Sequence, residues 1–419
     1  MPQGSVLGPL LFLLFINDIT NVVRHCKIRL FADDTCLFIE VDNRNVAAQE
    51  INDDLQNIQL WANQWLITFS PPKTKSLIVS NKVDRDLNPR IQLNGYDIEE
   101  VRSHTYLGLT FSNDLRWSHH IDEVATKARK RMNLMIPLKL KLDRNSLQTM
   151  YFSFVLPAME YANVVWGGSP ECNISKLEKI HTDGMRLVTG ATARSKTEKL
   201  YIETGWQSIN ERISNSTTIM IYKIKNNIAP QYLIDLFPGE NQERTTRALR
   251  NNENIALLGD RFLRLETFKN SFLPKAITLW NDLPTSVRKI PSVELFKAHL
   301  KSKKKEPNIL YFYGQRWPSV HHTRLRVGCS KLNFDLCKRL HVINYQTCSC
   351  GHKKEDAYHF FIKCPNYNDL RTDLFSSISV YSHVSLPIIL QGNPKLNIFK
   401  NKFIFDAVHQ FITKSKRFQ

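Results

Sequence analysis

Between Val6 and Ile16 the sequence runs VLGPLLFLLFI, without one charged side chain. A stretch this apolar has to be covered, and the ways of covering it bound the fold. It is far shorter than the ~20 apolar residues that span a bilayer. It does not read as a secretory leader either. No Lys or Arg precedes Arg24, Gly8 and Pro9 interrupt its front, and Asn17-Asp18 stand where a small-residue cleavage site would follow. The spacing predicts a helix from Pro9 to about Arg24, with Pro9 tolerated in the first turn. The expected setting is a folded intracellular protein, nuclear and/or cytoplasmic, not secreted.

The rest of the chain can build such a core. Its 419 residues have room for two to four domains. Lys and Arg outnumber Asp and Glu by 57 to 39, a formal charge of +18 that favours a polyanionic partner. No amphipathic anchor or lipidation motif points to a membrane. The cysteines do not form a secreted framework. Cys26, Cys36 and Cys172 stand alone, while Cys329, Cys337, Cys348, Cys350 and Cys364 cluster late among histidines, a pattern of metal binding in a reducing compartment.

Periodicity predicts an α+β block first. Lys27 to Phe31 and Thr35 to Val41 read as strands joined by a turn. Ile51, Leu55, Ile58, Trp61, Ala62 and Trp65 mark one face of a helix over 44–66. Ser76 to Ser80, Ile91 to Leu93 and Tyr106 to Phe111 read as further strands. From Trp117 the pattern is helical, with helices from Ser118, from Asp143 to about Val165, and around Leu177 to Leu187. Residues 238–261 are polar and read as a linker. Helices resume near Phe272 and at Val293 to Leu300, and KSKKKEP (301–307) ends that segment as a solvated linker. The expected divisions are 1–116, 117–237, 238–307 and 308–419.

FADDT (31–35) sets two acids at the tip of a hairpin between apolar strands. Adjacent like charges repel unless a cation joins them. Asp33 and Asp34 are therefore candidate Mg²⁺ ligands, although Asp is also an ordinary turn residue. PQGSVLGPLLF (2–12) precedes this hairpin; WLITFSPPKTKSLIVS (65–80) and YLGLTFSNDLRW (106–117) follow it. In this order the four blocks resemble the reverse transcriptase of non-LTR, jockey-like retrotransposons. LPAMEYANVVWGG (156–168), LEKIHTDGMRLVTG (177–190) and SFLPKAITLWNDLP (271–284) extend the resemblance downstream.

The resemblance implies a truncated polymerase palm, then a helical thumb-like and connection region, then a small zinc-binding-like domain. It implies RNA-directed DNA synthesis with two Mg²⁺ ions, an RNA template and a DNA primer. It implies that Gln3 and Gly4 lie near template and incoming nucleotide, in the motif B loop. Asp33 would be the principal metal ligand and Asp34 its less essential neighbour. Lys73 would sit near the triphosphate, where this chain has Ser70 in place of the family's Asn; an exposed turn lysine is the other reading. Tyr106-Leu107-Gly108 would neighbour the primer grip. The family's fingers and its other palm Asp lie upstream of motif B, and Asp84, Asp86 and Asp97 do not replace that acid. Residues 1–419 alone are therefore not expected to extend a primer, and a complementing polymerase fragment is a candidate partner.

CSCGHKKEDAYHFFIKC (348–364) offers Cys348, Cys350, His359 and Cys364, a donor set suited to structural Zn²⁺ with no open position. His352 competes with His359, and a metal-free Cys/His cluster is the alternative. Arg324, Arg326, Lys331, Lys338, Arg339, Lys353 and Lys354, with Phe334 and Tyr345, suggest RNA or single-strand binding around it. The reading that rivals a polymerase is a non-catalytic, basic RNA/DNA-binding remnant with a structural zinc module.

Overall fold

The computed structural model describes residues 5–40, 42–80, 89–237, 266–302 and 308–419. Two expected linkers, 238–261 and most of KSKKKEP, fall outside them. The chain divides into two compact units, Met1–Trp117 and Ser118–Gln419.

In the first unit the apolar run forms α1 (Gly8–Ile16), with proline in its opening turn. The expected continuation to Arg24 is instead a 3₁₀ segment, Asn17–Val22. There the Thr20 hydroxyl donates to the Asn17 carbonyl, the local side-chain bonding that loosens helices. Strands β1 (Lys27–Phe31) and β2 (Asp34–Phe38) pair antiparallel, with Ile28 opposite Leu37 and Leu30 opposite Thr35. Those four residues share a face. Ile28, Leu30 and Leu37 pack with Ile16 and Ile19 against Ile58, Trp61 and Ala62 of α2 (Arg44–Gln64). The Asn43 side chain caps α2 by accepting from the Asn45 N–H at 2.9 Å.

The remaining strands are shorter than their sequences suggest. They are β3 (Lys75–Ser76), β4 (Gln92–Leu93), β5 (Tyr96–Asp97), β6 (Glu99–Glu100), β7 (Ser103–Tyr106) and β8 (Leu109–Ser112). Tyr106 to Phe111, expected as one strand, is the bend of a hairpin. Leu107 and Gly108 take φ of +48° and +76°, so the chain reverses in the two-residue turn that a right-twisted ladder favours. Among the described residues every ladder has two strands, β3 pairing parallel with β6. The observed fold is mixed helix and small sheets, and no wider palm-type sheet is present among the described residues.

The second unit is helical: α3 (Ser118–Met135), α4 (Arg144–Met150), α5 (Glu171–Thr189), α6 (Thr197–Thr204), α7 (Ile209–Lys225), α8 (Phe272–Asn281), α9 (Val293–Ser302), α10 (Arg316–Val327), α11 (Asn368–Ser379) and α12 (Ile398–Lys414) are its main elements. The single helix expected over Asp143 to Val165 is broken. After α4 comes a wide π turn, Tyr151–Val155, then a short helix Leu156–Glu160. Pro157 explains it, because its ring lacks an N–H and crowds the carbonyl four residues back.

The tail does not stand apart from these helices. Glu203 of α6, 3% exposed, accepts from Arg144 Nη1 at 2.7 Å and from Arg326 Nη2 at 2.8 Å. Arg326 and Thr323, both on α10, reach the same carboxylate. This buried cluster ties α4 and α6 to α10, so the divisions expected at 237/238 and 307/308 fall inside one compact unit. Among the described residues, no helix is long and apolar enough to cross a membrane.

Candidate active-site hairpin and metal centre

The β1–β2 hairpin turns on Ala32 and Asp33, between the terminal pair Phe31 and Asp34. Ala32 has φ of +52°, a left-handed conformation that a residue with a Cβ rarely adopts. A two-residue hairpin turn requires it at this position, as at Leu107 in the β7–β8 hairpin, and a residue other than glycine adopts it at some cost in strain. Register places Asp34 with Cys36, Phe38, Lys27 and Arg29 on the face away from the core. Asp33 and Asp34 are both exposed. Among the described residues neither carboxylate has a hydrogen-bond or ion-pair partner, so the pair is open to a cation. Tyr106 lies near enough to register Asp34: its phenol is pushed up, by burial first and then by the charges of Cys36 and Asp34.

The hairpin is held in place by a residue that periodicity did not single out. Asp54, fully buried on α2, accepts three backbone N–H bonds from the segment leading into β1. They come from Arg24 at 2.7 Å, His25 at 2.9 Å and Cys26 at 2.7 Å. Burial alone would raise its pKa, but these bonds outweigh it and hold the carboxyl below the ordinary range. The available signal was position: Asp54 sits one turn before Ile58, on the buried face of an otherwise apolar stripe. Asp54→Asn is expected to destabilise the first unit by about 2–3 kcal/mol at neutral pH, since an amide turns an N–H₂ toward backbone donors. Because the folded pKa is depressed, the carboxylate's stabilisation is full above the ordinary carboxyl range and is lost as pH falls through the folded value. Thermal melts of both proteins at neutral pH and near pH 3 check this; the gap should narrow in acid.

Lys73 is exposed, in a 3₁₀ turn Pro71–Lys73. The Ser70 carbonyl accepts from the N–H groups of Lys73 and Thr74 and from the Thr74 hydroxyl, so the turn is set through the backbone of Ser70 and not its side chain. Among the described residues Lys73 has no acidic partner, whereas neighbouring Lys75 bonds Glu99 at 2.5 Å. Asp97 is engaged by Gln92 and Arg90. Gln3, Gly4, Asp84 and Asp86 lie outside the described residues.

In the second unit the donor atoms of Cys348, Cys350, His359 and Cys364 lie within 4.8 Å of one another. Tetrahedral zinc with thiolates at about 2.3 Å sets neighbouring sulfurs about 3.8 Å apart. The Cys348 and Cys364 sulfurs are 3.7 Å apart, and Cys350 Sγ is 3.2 Å from His359 Nε2. Gly351, at φ +85°, allows the tight turn that aims both early thiols inward. Burial is the largest cause holding the Cys364 thiol up, to about 12, so a cation is needed for its thiolate. His352 stacks on the His359 ring at 4.2 Å with its Nδ1 on the Lys354 backbone, and it is His359 whose donor nitrogen lies among the cysteine sulfurs. The donors present fit Zn²⁺.

The basic residues around this cluster divide into two kinds. Arg326 is spent on Glu203, Arg324 donates to the Gly190 carbonyl and Lys331 to the Phe418 carbonyl. They tie the fold together. Lys338, Lys353 and Tyr345 are exposed. Arg339 and Lys354 are exposed yet engaged, Arg339 by Asp335 and the Gly328 carbonyl and Lys354 by Asp356. Lys354 lies 4.2 Å from the Phe334 ring centre.

Residues 1–111 match the family model for reverse transcriptase (RNA-dependent DNA polymerase). The chain is 26% identical over 231 residues to the Drosophila melanogaster protein described as "Probable RNA-directed DNA polymerase from transposon BS", covering 52% of this chain and 25% of that one. It is 25% identical over 225 residues to the RNA-directed DNA polymerase from mobile element jockey of the same fly, covering 51% of this chain and 24% of that one. A Pol polyprotein from the type-1 retrotransposable element R1 2 of Nasonia vitripennis is 20% identical over 383 residues, 88% of this chain and 86% of that protein. The chain thus carries a reverse transcriptase domain match and is homologous to non-LTR retrotransposon polymerases; it spans about a quarter of the length of the two fly relatives. No solved structure matches it.

Proposed function

We propose that residues 1–419 work as part of a retrotransposon RNA-directed DNA polymerase, which extends a DNA primer along an RNA template. The observation that carries this reading is the hairpin tip. Two adjacent, exposed carboxylates without partners among the described residues stand on a strained turn, within the stretch that matches the reverse transcriptase model. Asp33 holds the catalytic cations and Asp34 supports it. Bound Mg²⁺ would supply activation of the primer 3′-hydroxyl and charge compensation for leaving pyrophosphate. Lys73 offers a cation to the triphosphate, and Gln3 and Gly4 belong beside the template. Its proposed partners are RNA and DNA, and its proposed compartment is the nucleus and/or cytoplasm.

Two-metal transfer requires a further carboxylate to bridge the ions. Among the described residues, the only group of three or more acidic, His or Cys side chains able to hold a metal is the Cys348 cluster. A complementing polymerase segment brings that acid. The exposed side of α1, with Leu10 at 56%, Leu13 at 50% and Leu14 at 68%, offers it an apolar face. Primer extension on an RNA template tests this: no product from residues 1–419 alone, and Mg²⁺-dependent product once the segment is added. Robust extension by residues 1–419 alone that Asp33→Ala abolishes would sink the requirement for a partner.

The second reading, a non-catalytic nucleic-acid-binding piece, is favoured by the +18 charge beside a closed metal-type cluster. It expects RNA affinity that falls steeply with salt and no extension in any combination. A log–log salt slope near zero would count against phosphate contacts and against both readings.

A further inference from the structure

The core side of α12 is filled by Ile404, Phe405, Val408, Phe411 and Ile412, which pack in the second unit's C-terminal core and the buried residues around it. The helix nevertheless carries two more phenyl rings on its outer side, one turn apart. Phe399 is 76% exposed and Phe403 is 48% exposed. Phe403 meets Tyr381 edge-to-face at 5.5 Å, which fixes the ring's orientation. Lysines surround the rings. Lys400 Nζ lies 5.7 Å from the Tyr381 ring centre, Lys402 Nζ lies 5.2 Å from that of Tyr313, and Lys395 is exposed just before the helix. Among the described residues none of these three ammonium groups has a carboxylate partner. Asp406, the acid on the same side, is taken by the Tyr313 hydroxyl at 2.8 Å.

We propose that this face of α12 is a stacking platform for single-stranded nucleic acid, separate from the polymerase hairpin and from the Cys/His cluster. The inference rests on the nucleic-acid reading above and names a site for it. Exposed π faces accept unpaired bases of any sequence, and unpaired ammonium groups beside them accept the intervening phosphates. A second copy of this chain is a poor occupant, because each copy brings the same lysines and a net charge of +18.

The test uses the full chain, a labelled single-stranded oligonucleotide of mixed sequence and the matching duplex. The paired variant Phe399→Leu with Phe403→Leu keeps the apolar surface and removes the π faces. It is expected to bind the single strand about tenfold or more weakly, with duplex binding and salt slope unchanged. The paired variant Lys400→Gln with Lys402→Gln is expected to flatten the single-strand slope by about 1–2. A photoreactive 5-bromouracil strand should crosslink to Phe399 or Phe403. If the unmodified chain binds the strand and the Leu variant binds it equally, with crosslinks elsewhere, this site is wrong and the wider reading stands. If the unmodified chain binds no nucleic acid, both fall. Self-association that is lost in the Leu variant would reassign the face to a protein contact and overturn the proposal.

Discussion

Asp33→Asn, introduced into residues 1–419 and assayed with a complementing polymerase segment, is expected to lower kcat by about 10³-fold, with template affinity unchanged. The substitution preserves shape and removes one negative charge from the place where the proposed cations would be held. What it cannot do is unfold the hairpin. Asp33 is exposed on a turn and bonds no described residue, and the ladder behind it is secured by Ile28, Leu30 and Leu37 on α2. Removing one of two adjacent like charges should leave the thermal midpoint unchanged or slightly raised. Activity and stability therefore move independently, and measuring both separates loss of a metal ligand from loss of fold. Asp34→Asn should cost less activity. Equal activity of the Asp33→Asn and unmodified proteins would remove Asp33 from the site.

The second large effect concerns the Cys/His cluster. Chelation, or Cys348→Ser together with Cys364→Ser, is expected to release one equivalent of zinc and to unfold the surrounding C-terminal segment. Structural zinc sites commonly supply about 10 kcal/mol or more of apparent folding free energy, because the donors are not assembled in the unfolded chain. Beyond the four donors, the effect spreads through a buried clasp. Glu355, 2% exposed, receives Arg417 Nε at 2.7 Å and Nη2 at 2.6 Å, and also the Asn333 N–H at 2.9 Å. Loss of the cluster loosens the loop that carries Glu355 and with it the last residues of the chain, including buried Phe418. Metal analysis and a thermal melt check this, with protease digestion locating the opened segment. A double variant with unchanged metal content and midpoint would reduce the cluster to packed thiols.

Local chemistry was the legible part of this chain. The hairpin from Lys27 to Phe38 could be read because its inward residues alternate and its turn is polar; α2 could be read because its apolar stripe keeps helical spacing. The gathering of Cys348, Cys350, His359 and Cys364 could be read because soft side chains in one short loop have few other uses. Features that depend on distant partners were not legible. Asp54 looks like one more acid on a charged helix until the loop before β1 brings three N–H groups to it. Arg324 and Arg326 look like nucleic-acid ligands until the fold supplies Gly190 and Glu203. Nothing along 398–414 distinguishes exposed Phe399 and Phe403 from Phe405 and Phe411, which the fold buries.

The sequence by itself thus determined most element types, the acid pair at the hairpin tip and the four Cys/His side chains that the fold gathers. Each is governed by residue chemistry and spacing within a few tens of residues. Tertiary structure alone decided which charges face water and which are spent inside. It also decided that the tail joins the helical unit and which aromatic rings remain exposed. Burial depends on what packs from elsewhere in the chain, and spacing along one segment carries no record of that.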